Sequence, residues 1–373
     1  MNVPLVAPQL GEAEIEGVVR VLRSGQLAQG PEVAAFESEF ALQVGVAHAV
    51  AVNSGTAAVH CALAALGVGE GDEVVTTPFT FAATATPVLM QRARVKFVDI
   101  DPRTFNADVD QLAGAVTART KAVLGVDLFG LPFDRTGADA LRARGVAVLE
   151  DACQAIGAAR DGVPAGSGCD AAAFSFYATK NVTTGEGGML TTDRDDVAAA
   201  ARRFRQHGQG ERYEYLSLGY NYRLTDVLAA VGRVQLGRLS ALTAARRATA
   251  AFYDAELADL DGVTTPLVPP GVEHAYHQYS IVVDETLTRN GLDRDGLRAA
   301  LAAAGVGTGI YYPTPLHRNP LFAAFSDGAF PVAEATARRI LALPVHPAVT
   351  EEMREHVVAA LRDALASGGG GNR

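Results

Sequence analysis

A chain of 373 residues, 49% hydrophobic and 20% charged, has the balance of a globular protein. It is long enough for one large α/β domain plus a smaller one, since single cores stop growing at roughly 250–300 residues. The net charge of −10, from 32 basic and 42 acidic side chains, argues against non-specific nucleic-acid binding, which needs a basic face.

Cys61, Cys153 and Cys169 lack CxxC spacing, so neither a disulfide framework nor a zinc site is expected, and no other metal site is expected either. They suit a reducing cytoplasm. The opening MNVPLVAPQLGEAE has no basic segment followed by an apolar core, and no run reaches about 18 uncharged apolar residues, so neither secretion nor a membrane span is expected.

An amphipathic helix is expected from Glu12 to Leu22, ended by Ser24-Gly25, and a second follows Pro31, where proline suits a first helical position. His48 to Val52 reads as a short buried strand, Ser54-Gly55-Thr56 as a turn and Ala57 to Leu66 as a helix. Strands and helices then alternate: strands Glu73–Thr77, Val95–Asp99, Ala122–Val126, Val146–Leu149 and Ala171–Phe176, with helices at Phe81–Met90 and Thr136–Arg144. That alternation predicts a mostly parallel sheet covered on both faces by helices. Asp226 to about Leu257 reads as a long helical region with its basic residues on the solvated face, and TTPLVPPGVEH as a boundary loop. Beyond lie an expected strand (Gln278–Val283), a helix (Arg294–Ala304), an extended segment (Gly307–Tyr312) and helices at Val332–Leu341 and Glu351–Leu365, a small α+β domain. The expected division is 1–235 for the large domain, 236–366 for the linker helix and small domain, and 367–373 (SGGGGNR) for a disordered tail.

In open parallel sheets ligands bind beyond the C-terminal strand ends, so the residues just past each strand are the ones to inspect. Lys180 lies between an apolar strand and a loop holding Gly185, Gly187 and Gly188. An ammonium near a packed interior is costly unless it is paired or loses its charge, and a lysine amine with a lowered pKa forms Schiff bases with carbonyls. Taken alone, Lys180 reads more simply as a side chain that snorkels from a strand end into water. Asp151 suits the ring nitrogen of a bound pyridine, or a helix N-cap. Gln154 suits a phenolic oxygen, or plain surface. Phe81 suits ring stacking, or core. The turn Ser54-Gly55-Thr56 at a helix N-terminus suits a phosphate, with Ser175 as a further contact, yet Ser and Thr are ordinary N-caps. What favours the chemical readings is that all of them fall at strand ends around one lysine.

The ordered set SGTAA (Ser54 to Ala58), PFTFAAT (Pro78 to Thr84), EDACQAIGA (Glu150 to Ala158), SFYATKNVTTGEGGM (Ser175 to Met189) and GYNYRLTDVLAA (Gly219 to Ala230) resembles the DegT/DnrJ/EryC1/StrS family. These are fold-type I, pyridoxal phosphate-dependent sugar aminotransferases, and the likeness extends to LRSGQLAQGPEVAAFE, HQYSI, YYPTPLHRNPLF and LPVHP. The resemblance implies a seven-stranded, mostly parallel sheet and a smaller C-terminal α+β domain. It implies that Lys180 forms the Schiff base with pyridoxal 5′-phosphate (PLP, cycling through its amino form PMP) and shuttles the proton. Asp151 would pair with the pyridinium nitrogen, Gln154 would contact the phenolic oxygen, Phe81 would stack on the ring, and Gly55, Thr56 and Ser175 would hold the phosphate. Asn221 resembles an asparagine that reaches a phosphate in the neighbouring subunit, which implies a homodimer. Lysine rather than histidine at position 180 points to transamination, not dehydration.

The implied substrates are a nucleoside-diphosphate-linked keto sugar and an amino donor, L-glutamate, with a keto cyclitol as the alternative acceptor. Tyr311, Tyr312 and His317 read as a substrate lip or as a proline-rich turn packing aromatics. Arg223, Arg205 and His207 read as contacts for the donor carboxylate or the sugar diphosphate, or as surface ion pairs. A nicotinamide dehydrogenase is disfavoured because no GxGxxG follows an early strand. A non-catalytic PLP-binding sensor would need an output module, and no basic DNA-reading segment is evident.

Overall fold

The computed structural model describes residues 1–107, 109–284, 287 and 292–368. Residues 369–373, most of the tail expected to be disordered, lie outside the described residues, while Ser367 and Gly368 continue the last helix (Glu351–Gly368).

Strands β1 (His48–Val52), β2 (Glu73–Thr76), β3 (Arg94–Phe97), β4 (Thr120–Val126) and β5 (Ala147–Asp151) are followed by a short hairpin, β6 (Ala159–Arg160) and β7 (Val163–Pro164), and then by β8 (Ala171–Ser175) and β9 (Gly188–Thr192). Seven of them form one sheet in the order β1-β9-β8-β5-β4-β2-β3. Every pairing from β3 to β8 is parallel, and β9 is antiparallel to both of its neighbours. Central strands such as AVLGV are apolar throughout because helices cover both faces. Alternation in β1 shows it: Val50 and Val52 pack with one helical layer, Ala49 and Ala51 with the other.

The first layer includes α3 (Gly55–Ala65), which follows α1 (Glu12–Ser24) and α2 (Pro31–Val44) in the chain. Phe36 and Phe40 of α2 pack edge-on or tilted against Phe174 and Phe176 on the opposite face. A second, three-stranded antiparallel sheet, β10 (Val263–Thr264), β12 (Tyr279–Val283) and β13 (Ile340–Leu343), packs with the helices Leu239–Leu257, Arg294–Ala303 and Glu351–Gly368 around Tyr253, Tyr279, Leu297 and Leu361. The remaining strand, β11 (Val272–Glu273), crosses back to pair with β6.

Several expectations are corrected. Only Thr86–Met90 of the expected Phe81–Met90 helix is α-helical; Phe81 is extended and Ala82–Thr84 form a single 3-10 turn, because Pro87 has no N–H to donate back to the Ala83 carbonyl and fits only the first turn of a helix. The long helix breaks at Arg238 into Asp226–Gly237 and Leu239–Leu257. Its basic residues are not all on a solvated face: Arg246 is buried. Past Arg339 the expected helix becomes strand β13, whose ILAL run pairs along β12. Gly307–Tyr312 forms no strand, only an isolated bridge from Gly309 to Ala342.

Candidate active site

Strands β1, β2, β4, β5 and β8 deliver their C-terminal ends to one cavity of about 550 Å3. It is lined by Gly55, Thr56, Phe81, Asp151, Gln154, Ser175, Lys180 and Tyr312, eight of the residues singled out from the sequence. The other wall is new: Arg246, His277, Gln278 and His346, together with Leu5 and Val6 from the start of the chain.

Helix α3 begins at the floor of the cavity. Ser54 caps it by accepting from the Ala57 amide at 3.1 Å, and the first amides of the helix, on Gly55 and Thr56, have no acceptor inside it. Gly55 is required by close approach, since a Cβ there would stand 2.7 Å from Ser175 Cβ and 2.9 Å from Cys153 Sγ. The result is a cradle of backbone N–H groups at a positive helix end, with the Ser175 hydroxyl beside it, which fits a phosphate.

Alternation along β5 sends neighbouring acids to opposite faces. Asp151 turns to the cavity, where Oδ2 accepts from Thr84 Oγ1 at 2.7 Å and Oδ1 from the Cys153 amide at 3.2 Å. Thr84 is itself linked to Thr80 at 2.8 Å. Glu150 points the other way and is buried with Asp127, near Arg135 at 3.9 Å. Burial, with Glu150 as neighbour, holds the Asp127 carboxyl well above the ordinary carboxylate range. The Gln154 carbonyl accepts from the Phe129 amide at 2.8 Å and its amide donates to the Tyr312 hydroxyl at 3.1 Å.

Lys180 is half-buried in the cavity wall. Burial lowers the pKa of its amine, while Cys153 and Asp151 act in the opposite sense. The His277 ring lies beside it, with Nδ1 3.3 Å from Asn181 Oδ1, and burial with Lys180 and Arg246 nearby holds its pKa well below the ordinary value. His277 and Gln278 arrive on the segment after β11, which is anchored by the Ala275 amide donating to Gly130 O at 2.9 Å and by Asn181 Nδ2 donating to Ala275 O at 2.9 Å. A lysine whose amine pKa is lowered by burial, an opposed carboxylate, an aromatic face on Phe81 and a phosphate cradle are the donor set a pyridoxal phosphate group requires.

Other sequence candidates fall elsewhere. Asn221 is exposed and outside the cavity lining of its own chain, and Arg223 is half-buried and also outside it. His317 is buried beyond the lining, 2.9 Å from Glu334 and packed on Phe330. Arg205 is no surface residue: it is buried, ion-paired with Glu37 and bound to Ala51 O at 2.6 Å, so it holds β1 against α2. His207 is exposed on the loop after it. Sequence reasoning missed Thr84, although it closes the PFTFAAT motif, and missed Arg246, His277 and His346.

Residues 8–362 match the DegT/DnrJ/EryC1/StrS aminotransferase family. The chain is 38% identical to the UDP-N-acetyl-3-dehydro-α-D-glucosamine 3-aminotransferase of Acidithiobacillus ferrooxidans, over 94% of this chain and 93% of that one. It superimposes on S. venezuelae DesV, solved in complex with a ketimine intermediate, with a TM-score of 0.91 at 34% identity, covering 97% and 99% of the two chains. A Streptococcus pneumoniae protein described as a sugar aminotransferase and solved in its PLP form matches with a TM-score of 0.90 at 28% identity, covering 99% and 100%. The chain belongs to the DegT/DnrJ/EryC1/StrS aminotransferase family and is an aminotransferase.

Proposed function

We propose that this aminotransferase moves an amino group from an α-amino acid, L-glutamate, to the keto group of a nucleoside-diphosphate-linked keto sugar, with PLP held on Lys180. The observation that carries the proposal is the meeting of Lys180 and Asp151 in one cavity that also holds the open N-terminus of α3. The Acidithiobacillus ferrooxidans relative, named for a UDP-linked sugar, supports an acceptor carried on a nucleotide.

When bound, PLP supplies an aldehyde that condenses with amines and a ring that takes up electrons from carbon. Lys180 Nζ, its pKa lowered by burial, would hold the group and would be available to take and return a proton at the donor α-carbon. Asp151, fixed by Thr84 and the Cys153 amide, would hold a proton on the ring nitrogen. Phe81, 58% exposed, has a free face for stacking; Gly55, Thr56 and Ser175 would bind the phosphate. The working unit is a homodimer in which Asn221 completes the partner's phosphate site. Support for this comes from the loop before Asn221, which leaves Tyr213, Tyr215, Leu216 and Leu218 between 56% and 73% exposed.

Incubation of PLP-loaded protein with L-glutamate and a panel of keto-sugar nucleotides, read by product mass, tests the reading. Transfer is expected in the wild type and none in Lys180→Ala, which should also lose the visible absorption of the lysine-bound group. Near-normal transfer by Lys180→Ala would sink the proposal, and transfer to keto cyclitols alone would overturn the acceptor class.

A further inference from the structure

Arg246 sits in the first half of the helix Leu239–Leu257 and has no role in the chemistry above. It is 6% exposed, and it lines the cavity that Lys180 lines. One amine of its guanidinium, Nη1, donates to the main-chain carbonyls of Tyr276 at 3.1 Å and His277 at 3.4 Å. Nε is buried and has no acceptor. Burial alone lowers its pKa, to about 10, and no acid among the described residues offsets that.

Its arginine neighbours are different. Arg205, the other buried arginine among the described residues, is neutralised by Glu37. Arg247, one position further on, turns outward to Glu273 at 3.1 Å. Arg238, at the helix start, pairs with Glu14 at 2.7 Å. A buried cation without a counter-ion is costly, and a cavity that keeps one is built to receive an anion. The planar fork of a guanidinium matches a carboxylate. His277 does not compete as a partner: Lys180 and Arg246 both act on its ring, and burial with these two cations keeps it neutral.

We propose that Arg246 binds a carboxylate of the amino donor and thereby turns the donor's amino group toward Lys180. The inference rests on the reading that an amino acid enters this cavity. One small ligand carrying an amine and a carboxylate then spans from the lysine to the arginine across the neutral His277 ring.

The test uses the PLP-loaded enzyme, with glutarate as a carboxylate probe that carries no amine and UDP as a diphosphate probe, both followed by titration calorimetry. In Arg246→Gln the glutarate Kd should rise roughly tenfold to a hundredfold, the range for losing a hydrogen bond to a charged group, while the UDP Kd stays within about twofold. Arg246→Lys, which keeps the charge and loses the fork, should weaken glutarate binding by about tenfold and serves if the glutamine variant does not fold. In single turnovers, reaction with L-glutamate should need correspondingly more donor, and the return reaction with keto-sugar nucleotide should be unchanged. Glutarate binding that ignores both substitutions overturns the inference while leaving the aminotransferase reading intact. Loss of UDP binding with glutarate binding kept would reassign Arg246 to the diphosphate and likewise overturn it. A wild-type enzyme that takes an amino group from no α-amino acid and binds no glutarate overturns both.

Discussion

Asp151 is braced before any ligand arrives, by the Thr84 hydroxyl on one oxygen and the Cys153 amide on the other. Its charge and its position can therefore be separated by mutation. Asp151→Asn keeps the shape but removes the charge, and should lower amine transfer on the order of a thousandfold, comparable to losing a preorganised electrostatic group. Thr84→Val leaves the charge and removes one brace, so a loss of about tenfold is expected, the equivalent of about 1.4 kcal/mol. Steady-state kcat for the two variants, with thermal melts to confirm folding, decides the matter; a Thr84→Val defect as deep as that of Asp151→Asn would show that bracing, not charge, dominates. The strand-end residues were legible from sequence because side-chain type and strand position together select the chemistry. Arg246 was not legible. Arg246 and Arg247 are adjacent and equally basic, and only the returning segment Val272–Gln278, itself placed by pairing with β6, decides which of them is buried.

At the scale of elements, helix ends are capped by acids from distant parts of the chain. Asp226 accepts from the amides of Gly30 at 2.8 Å, Glu32 at 3.3 Å and Val33 at 3.0 Å, and so closes the N-terminus of α2 from about two hundred residues away. Gly30 permits the approach, because a Cβ there would stand 2.6 Å from Asp226 Oδ2. Asp99, just past β3, does the same for the helix Pro331–Arg339 through the amides of Val332 and Ala333, both at 2.9 Å. Asp226→Ala strands three amides and should cost about 3 kcal/mol, read as a lower urea midpoint with an unchanged slope. A change below about 0.5 kcal/mol would show that water replaces the carboxylate without penalty. Alternating strands and helices could be read from periodicity, and most of those boundaries fall within a few residues of the expected ones. The β13 strand could not, since ILAL continues a helical pattern and only its pairing with β12 makes it extended.

For the molecule as a whole, the proposed dimer makes a demand that no single-chain experiment meets. If Asn221 serves the partner's phosphate site, Lys180→Ala and Asn221→Ala chains should each be poorly active alone. Mixed one to one and allowed to exchange, they should regain about a quarter of the wild-type activity, because half the dimers are then mixed and one of the two sites in each is intact. No recovery, with exchange confirmed by native mass spectrometry, would place Asn221 outside the neighbouring site.

The first residues of the chain bear on how this molecule can move. Val3 is clasped between the Gly305 carbonyl and the Gly307 amide, each at 2.8 Å, and the Pro4 carbonyl accepts from His346 at 2.9 Å. A few residues later, Gly17 of α1 rests on Ala230 and Glu14 binds Gln235 at 2.6 Å. A short leash thus runs from the turn at Gly305–Gly307, past the cavity wall at Leu5 and Val6, to α1 where it packs on the helix Asp226–Gly237. Pinned at both ends, the segment that carries Leu5 and Val6 cannot leave the cavity wall without giving up these bonds, so a substrate that enters beside it relies on side chains giving way.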